Sequence, residues 1–198
     1  MLFILTGEIQ TGKTRWLLRQ VEDLEAHGVQ ACGVVAPGTW VDHGEDAPER
    51  YEKTGIDNLM LPQRVIVPFA RRDDLAQAAG EFDENSQAAR ARLRWAIDDG
   101  AIAQVNEHFA DLARIDKPGN RLLVVDEFGL LELVRGEGLT NAVALIDRGA
   151  TPVFPHALIV VRAGLLETAR ERFANAPWGG IQEIRDIEQG RLLDLISK

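Results

Sequence analysis

The chain has 198 residues, of which 45% are hydrophobic and 27% charged, and a formal net charge of −9. That length supports one sizeable core and is short for two. The acidity argues against a general nucleic-acid binder, whose affinity comes largely from neutralising phosphates, but leaves room for a nucleotide site, which needs only local positive potential.

The first element is a strand over Leu2 to Thr6, opened by the apolar run Leu2-Phe3-Ile4-Leu5. Gly7-Glu8-Ile9-Gln10-Thr11-Gly12-Lys13-Thr14 follows and matches the phosphate-binding pattern G-x-x-x-x-G-K-[ST] in full. Trp16, Leu17, Leu18, Val21 and Leu24 then fall on one helical face, so the helix runs to about His27 with Gly28 as its stop. Strand, loop and helix are the context this motif requires. Glycines let the loop wrap close to phosphate, its N–H groups turn inward, and the helix adds its positive end. The stretch Gly7 to Arg15 is therefore the expected nucleotide cradle. Lys13 is expected to reach the β- and γ-phosphates, and the Thr14 hydroxyl to ligate Mg²⁺.

Gln30 to Val35 reads as the second strand, closed by Pro37-Gly38. Cys32, the only cysteine, lies in it as a small core residue; with no second cysteine there is no intramolecular disulfide, which fits a reducing compartment. From Thr39 to about Asp98 the pattern changes to frequent Gly, Pro and charge, with short strand-like runs at Tyr51–Lys53, Val65–Phe69 and Leu93–Ile97. We read this as β-hairpin or lid material inserted into a single domain spanning residues 1–198. Its polar part, Gly80 to Arg92, is the expected mobile loop.

Asp98 or Asp99 caps the next helix, which turns Ile102, Val105, Phe109 and Leu112 inward and ends at Lys117-Pro118-Gly119. Arg121 to Asp126 is a strand whose Leu122-Leu123-Val124-Val125 run is apolar on both faces, as in central parallel strands. A helix over Thr140–Arg148, a strand over Leu158–Val161, a helix over Leu165–Phe173, a strand near Gln182–Arg185 and a helix from about Glu188 complete the chain. Alternation of this kind predicts an α/β three-layer sandwich with a mostly parallel sheet. No run approaches membrane-spanning length, and no basic flank precedes the first apolar run; a cytoplasmic protein with no membrane partner is expected.

Asp126 closes a buried strand, where a carboxylate holding Mg²⁺ through its waters belongs. Glu127 beside it is placed to orient or deprotonate an attacking water. Adjacent Asp-Glu is the arrangement of the ATPase division in which one strand separates the loop strand from the Asp strand. Leu158–Val161 is the candidate for that strand, giving the order 5-1-4-3-2. An arginine is also expected to face the γ-phosphoryl group. Of Arg71, Arg72, Arg90, Arg92, Arg94 and Arg162, the last ends the intervening strand and is favoured. His43, His108 and His156 lack metal-ligand spacing, and Trp16, Trp40, Trp95 and Trp178 read as core or hairpin anchors.

Asp126-Glu127-Phe128-Gly129-Leu130-Leu131-Glu132-Leu133 resembles the D-E-[apolar]-G-x-[apolar]-E-L signature of a small nucleoside-triphosphatase family known from hyperthermophiles and vertebrates, sometimes called cancer-related NTPases. The loop from Thr6 to Thr14 is similar to that of bacterial members, as is the order Gly33-Val34-Val35 with Pro37, Thr54-Gly55, Leu61-Pro62 and Phe69-Ala70. The chain departs from the family at Arg15, where a second Thr is usual, and at Phe128, where Ile is usual. The resemblance implies slow, Mg²⁺-dependent hydrolysis of ATP, GTP and other nucleoside triphosphates with loose base selectivity. It also implies a signature role for Glu132, against which stands a reading of the same residue as a cap or a surface ion pair.

The expected site therefore has Lys13, Glu127 and Arg162 as catalytic groups, Gly7 to Arg15 on the nucleotide, and Thr14 and Asp126 on Mg²⁺. Two other functions remain open. In a small-molecule or nucleotide kinase, the insert would take the acceptor and Arg90, Arg92 and Arg94 would form a lid. In a slow nucleotide-dependent switch, the insert would serve a partner complex. Asn141-Ala142-Val143-Ala144 does not supply the N-K-x-D motif of guanine-specific GTPases.

Overall fold

The computed structural model describes residues 1–45, 47–48, 50–185 and 191–196. In chain order the elements are β1 (Leu2–Gly7), α1 (Lys13–Ala26), β2 (Gln30–Val35), β3 (Gly38–Asp42), β4 (Tyr51–Leu61), β5 (Val65–Arg72), α2 (Asp73–Ala79), α3 (Gln87–Arg90) and β6 (Trp95–Ile97). They continue with α4 (Asp99–Ala113), β7 (Arg121–Phe128), a π-helical turn (Leu131–Arg135), α5 (Thr140–Arg148), β8 (His156–Arg162), α6 (Leu166–Phe173), β9 (Ile181–Ile184) and α7 (Leu192–Ile196). The expected start of the last helix, about Glu188, lies outside the described residues.

Among the described residues one nine-stranded sheet runs β6-β5-β4-β2-β7-β8-β1-β9, with β3 paired to β4. The pairs β2–β7, β7–β8, β8–β1 and β1–β9 are parallel. The pairs β2–β4, β3–β4, β4–β5 and β5–β6 are antiparallel. The sheet is thus mixed and not mostly parallel, and its order differs from the five-strand order expected. The physical reason is the insert. After β2 the chain turns back through Pro37-Gly38, and β4 hydrogen-bonds to the free edge of β2, so four more strands extend the sheet.

The parallel strands are covered on both faces, which is why their sequences are continuously apolar. On one face Phe3, Leu5, Val124, Leu158 and Val160 pack with Trp16, Leu17, Val21 and Leu24 of α1 and Leu192 of α7. On the other, Leu2, Ile4, Leu123, Val125 and Ile159 pack with Val105 and Phe109 of α4, Leu145 and Ile146 of α5, and Phe173 of α6. Each such side chain contributes about 1.5–3 kcal/mol on full burial. Asp98 caps α4, its side chain accepting from the N–H groups of Gly100 and Ala101. Backbone approach at a glycine is tightest where β2 pairs with β7: Gly33 has φ +124°, and a Cβ there would lie 2.0 Å from the Val124 carbonyl oxygen.

The expected loop from Gly80 to Arg92 contains α3, capped by the Ser86 hydroxyl on the Ala89 N–H, with Ser86 and Ala88 buried. The stretch is polar because one thin turn faces the core and the rest faces water.

Candidate active site at the strand ends

β1 ends at Gly7, and the loop curls back through left-handed Gln10 (φ +62°) and Gly12 (φ +87°) into α1. Gly12 occupies the N-cap and offers no side-chain partner to the first-turn N–H groups, so these donors face the loop. Thr11 Oγ1 donates to the Glu8 carbonyl at 3.0 Å. Lys13 Nζ donates to the carbonyls of Gly7 at 3.0 Å and Glu8 at 2.5 Å, so its charge lies across the concave side of the loop. Gly7 to Thr14 thus form a continuous cradle; Arg15 is exposed. Ile9 is also exposed and packs against no core cluster.

β8 lies between β1 and β7, and in its register Gly7 pairs with Arg162. Arg162 is exposed at the strand end beside the loop. Burial lowers the Lys13 pKa and the charge of Arg162 adds to that, while Glu127, Asp126 and Glu8 oppose it. These groups therefore share one electrostatic neighbourhood.

Asp126 is buried. Its Oδ2 accepts the Ala36 N–H at 3.0 Å, whereas its Oδ1 has no hydrogen-bond partner. Burial, and next the Glu127 charge, push its pKa up to about 7; the Ala36 N–H, the Thr14 hydroxyl and Lys53 act in the opposite direction. A buried carboxylate oxygen without a partner is costly and calls for a ligand.

Glu127 has φ +66°, and the β7–β8 register shifts between Val125 and Phe128. It is the bulged residue. Val125 and Phe128 consequently face the same core, and the half-buried Glu127 is turned out of the strand's alternation. A left-handed conformation costs a non-glycine residue about 1–2 kcal/mol, and such strain gathers at functional sites.

Glu132 is buried, not a surface ion pair. Its Oε2 accepts from Gly129 N–H at 2.9 Å and its Oε1 from Leu139 N–H at 3.0 Å, fixing the segment that follows Glu127. Burial raises its pKa.

Other candidates stand apart from this cluster. Arg71 pairs with Glu81, Arg72 with Glu52 and Asp74, and Arg90 with Glu137. His108 Nε2 donates to the Gly33 carbonyl at 3.1 Å as a packing residue, His43 pairs with Glu52, and His156 faces the Met1 amine. Among the described residues no three His, Cys, Asp or Glu side chains converge as a metal cluster. Trp16 and Trp178 are buried, and Trp178 Nε1 donates to the Ile146 carbonyl; Trp40 is largely exposed. Two groups near Asp126 had no signal in the sequence: the Ala36 N–H and Lys53.

The class defined by this arrangement is an α/β protein with a glycine loop curling into a helix N-terminus and two strand-end carboxylates. A human cancer-related nucleoside triphosphatase, solved in solution, shares the fold: the TM-score is 0.59 at 20% identity, covering 98% of this chain and 95% of that one. No protein-family profile matches the chain, and no curated protein matches its sequence significantly. Among the described residues no helix is long and apolar enough to cross a membrane.

Proposed function

We propose that the chain is a nucleoside triphosphatase that cleaves the β–γ phosphoanhydride bond of ATP, GTP and other triphosphates, with Mg²⁺ and loose base selectivity, as in the bacterial-type members it resembles. The observation that carries this reading is the convergence of Lys13, Asp126 and Glu127 at one end of the parallel strands, with Arg162 beside them. The shared fold with a nucleoside triphosphatase supports it.

The residues fit a Mg²⁺. Asp126 Oδ1 is an orphaned buried oxygen with the Thr14 hydroxyl beside the carboxylate; phosphate oxygens and water would complete the coordination. Such an ion, when bound, neutralises charge on the β- and γ-phosphate oxygens. Lys13 exchanges its carbonyl partners for phosphate oxygens, and the N–H groups opening α1 hold the phosphates in place. Glu127 accepts the proton of the attacking water, oriented by its bulge and by the Glu132-pinned segment. Arg162 faces charge developing on the γ-phosphoryl group. Asn141 serves structure, its N–H bonded to Asn106 Oδ1 and its side chain to the Asn106 carbonyl, which leaves it no part in guanine recognition.

Transfer to a second substrate is less well supported. Of the arginines expected to form a lid, Arg90 is engaged in an ion pair with Glu137 and not held ready for a second substrate. Phosphate release from ATP, GTP, CTP and UTP tests the assignment. Lys13→Ala should reduce it by roughly 10²-fold or more, on the scale of losing a charge that acts in the transition state. Unchanged release by a Lys13→Ala protein with an intact circular dichroism spectrum would sink the reading.

A further inference from the structure

The insert is rooted at the carboxylate. The Ala36 N–H bonds Asp126 Oδ2, the next carbonyl, that of Pro37, accepts the Asp57 N–H at 2.9 Å, and β3 begins at Gly38. Across the β3–β4 hairpin Trp40 and Lys53 are register partners. Both side chains fold over Gly38: a Cβ there would lie 2.7 Å from Lys53 Cε and 2.8 Å from Trp40 Nε1. The Lys53 stem therefore runs back along the hairpin toward the Asp126 end of β2, not out into solvent. Its Nζ rests 5.4 Å from the centre of the Trp95 ring on β6.

We propose that Lys53 is a second phosphate-binding cation, carried by the insert and directed at the terminal phosphate of a nucleoside triphosphate. The proposal rests on the triphosphatase reading and names a further contact residue for it. Three observations support it together. First, the neighbouring cations of the insert are committed to carboxylates: Arg50 to Asp42 and Glu45, Arg71 to Glu81, Arg72 to Glu52 and Asp74. Lys53 instead has an aromatic face, a hold weak enough to exchange for an anion. Second, an acidic chain with 31 Asp and Glu against 22 Lys and Arg offers many carboxylates to an unpaired lysine, yet Lys53 lies against two tryptophans. Third, its stem crosses Gly38, two residues beyond Ala36, whose N–H bonds the Asp126 carboxylate beside which the terminal phosphate would sit. A lysine binds phosphate as a point charge on a flexible stem, which suits a group that must leave Trp95 to reach its ligand.

The test is calorimetric titration of wild type, Lys53→Met and Lys53→Arg with a non-hydrolysable ATP analogue and with ADP, each with Mg²⁺. Lys53→Met should weaken the triphosphate analogue by about tenfold, equivalent to about 1.4 kcal/mol, while ADP affinity stays within about twofold. Lys53→Arg should recover most of the loss, and melting temperatures should match. Equal losses for both nucleotides, or none for either, overturn the proposal. Wild type that binds the analogue but releases no phosphate from ATP refutes hydrolysis, and the affinity ratio still decides Lys53. Wild type that hydrolyses ATP while Lys53→Met keeps the wild-type ratio refutes Lys53 alone. Wild type that binds neither nucleotide removes both.

Discussion

The two halves of the sheet are built on different physics. In the parallel half, Leu2 to Leu5, Leu122 to Val125 and Ala157 to Val161 are all 1% exposed or less. In the antiparallel half, Tyr51 is 55% and Ile66 61% exposed, and surface ion pairs centred on Arg50, Arg71 and Arg72 line the strands. Burial on both faces fixes strand ends rigidly enough to hold an unpartnered Asp126 oxygen and a left-handed Glu127 in place. Exposed ion pairs add little. The lesson is that the strained and orphaned groups sit where apolar packing can sustain them, while the half fastened by surface contacts is the one that adjusts at least cost.

The sharpest way to break this contrast is at Gly33. Its Cβ position coincides with backbone of β7, so neither neighbour can move aside without opening the sheet. Gly33→Ala should destabilise the protein by about 4 kcal/mol or more, at the exceptional end for single substitutions. Denaturant titration would show it; a loss below about 1 kcal/mol, the centre of that distribution, means the parallel half yields more than described.

Asp126 gives an intermediate effect of opposite sign. Its folded pKa of about 7 lies above the usual carboxylate value, so the folded state binds the proton more tightly than the unfolded chain. Its contribution is therefore most favourable below about pH 4, declines as pH rises toward 7, and is flat above. Asp126→Asn removes this ionisation. Without nucleotide at pH 8 the variant should be more stable than wild type by roughly 1–3 kcal/mol, the scale of relieving a buried unsatisfied group. The gain should fade by pH 4, and Mg²⁺-nucleotide binding should be lost. A variant less stable than wild type at pH 8 would show that Asp126 is satisfied without a ligand.

The smallest effect belongs to the insert. Glu52 is held below the usual carboxylate range by hydrogen bonds from Arg72 and then His43, and Asp74 by Arg72. Their stabilisation is present at neutral pH and lost on acidification through that range. Because these groups are exposed, Arg72→Met should shift the melting temperature at pH 7 by less than about 3 °C. A larger shift would mean that the insert is fastened more firmly than its surface ion pairs imply.

What could be read from sequence follows the same division. The apolar runs at Leu2–Leu5 and Leu122–Val125 announce buried strands, and the glycine-lysine loop and Asp126-Glu127 pair stand at their ends. β3 was not legible, because Gly38 to Asp42 is short and exposed, with Trp40 and Val41 adjacent and so out of the alternation that marks a half-buried strand. β4 was read only as far as Lys53. Beyond it Gly55, Asp57 and the buried Asn58 interrupt the alternation that marks a strand. In the site, the bulge that turns Glu127 leaves no local trace, since it arises from pairing with β8. The Ala36 N–H on Asp126 depends on β2 pairing with the distant β7, and the return of Lys53 over Gly38 depends on β3 pairing with β4.

The central claim is that the ends of β1 and β7 form a hydrolytic site with Glu127 as base. Glu127→Gln tests it most directly, because it keeps size and hydrogen bonding and removes only the proton acceptor. Phosphate release from Mg²⁺-ATP should fall by roughly 10²-fold or more, while affinity for a non-hydrolysable analogue stays close to wild type. Release near the wild-type rate would contradict the claim, and would leave the left-handed bulge at Glu127 as a structural feature of the strand end.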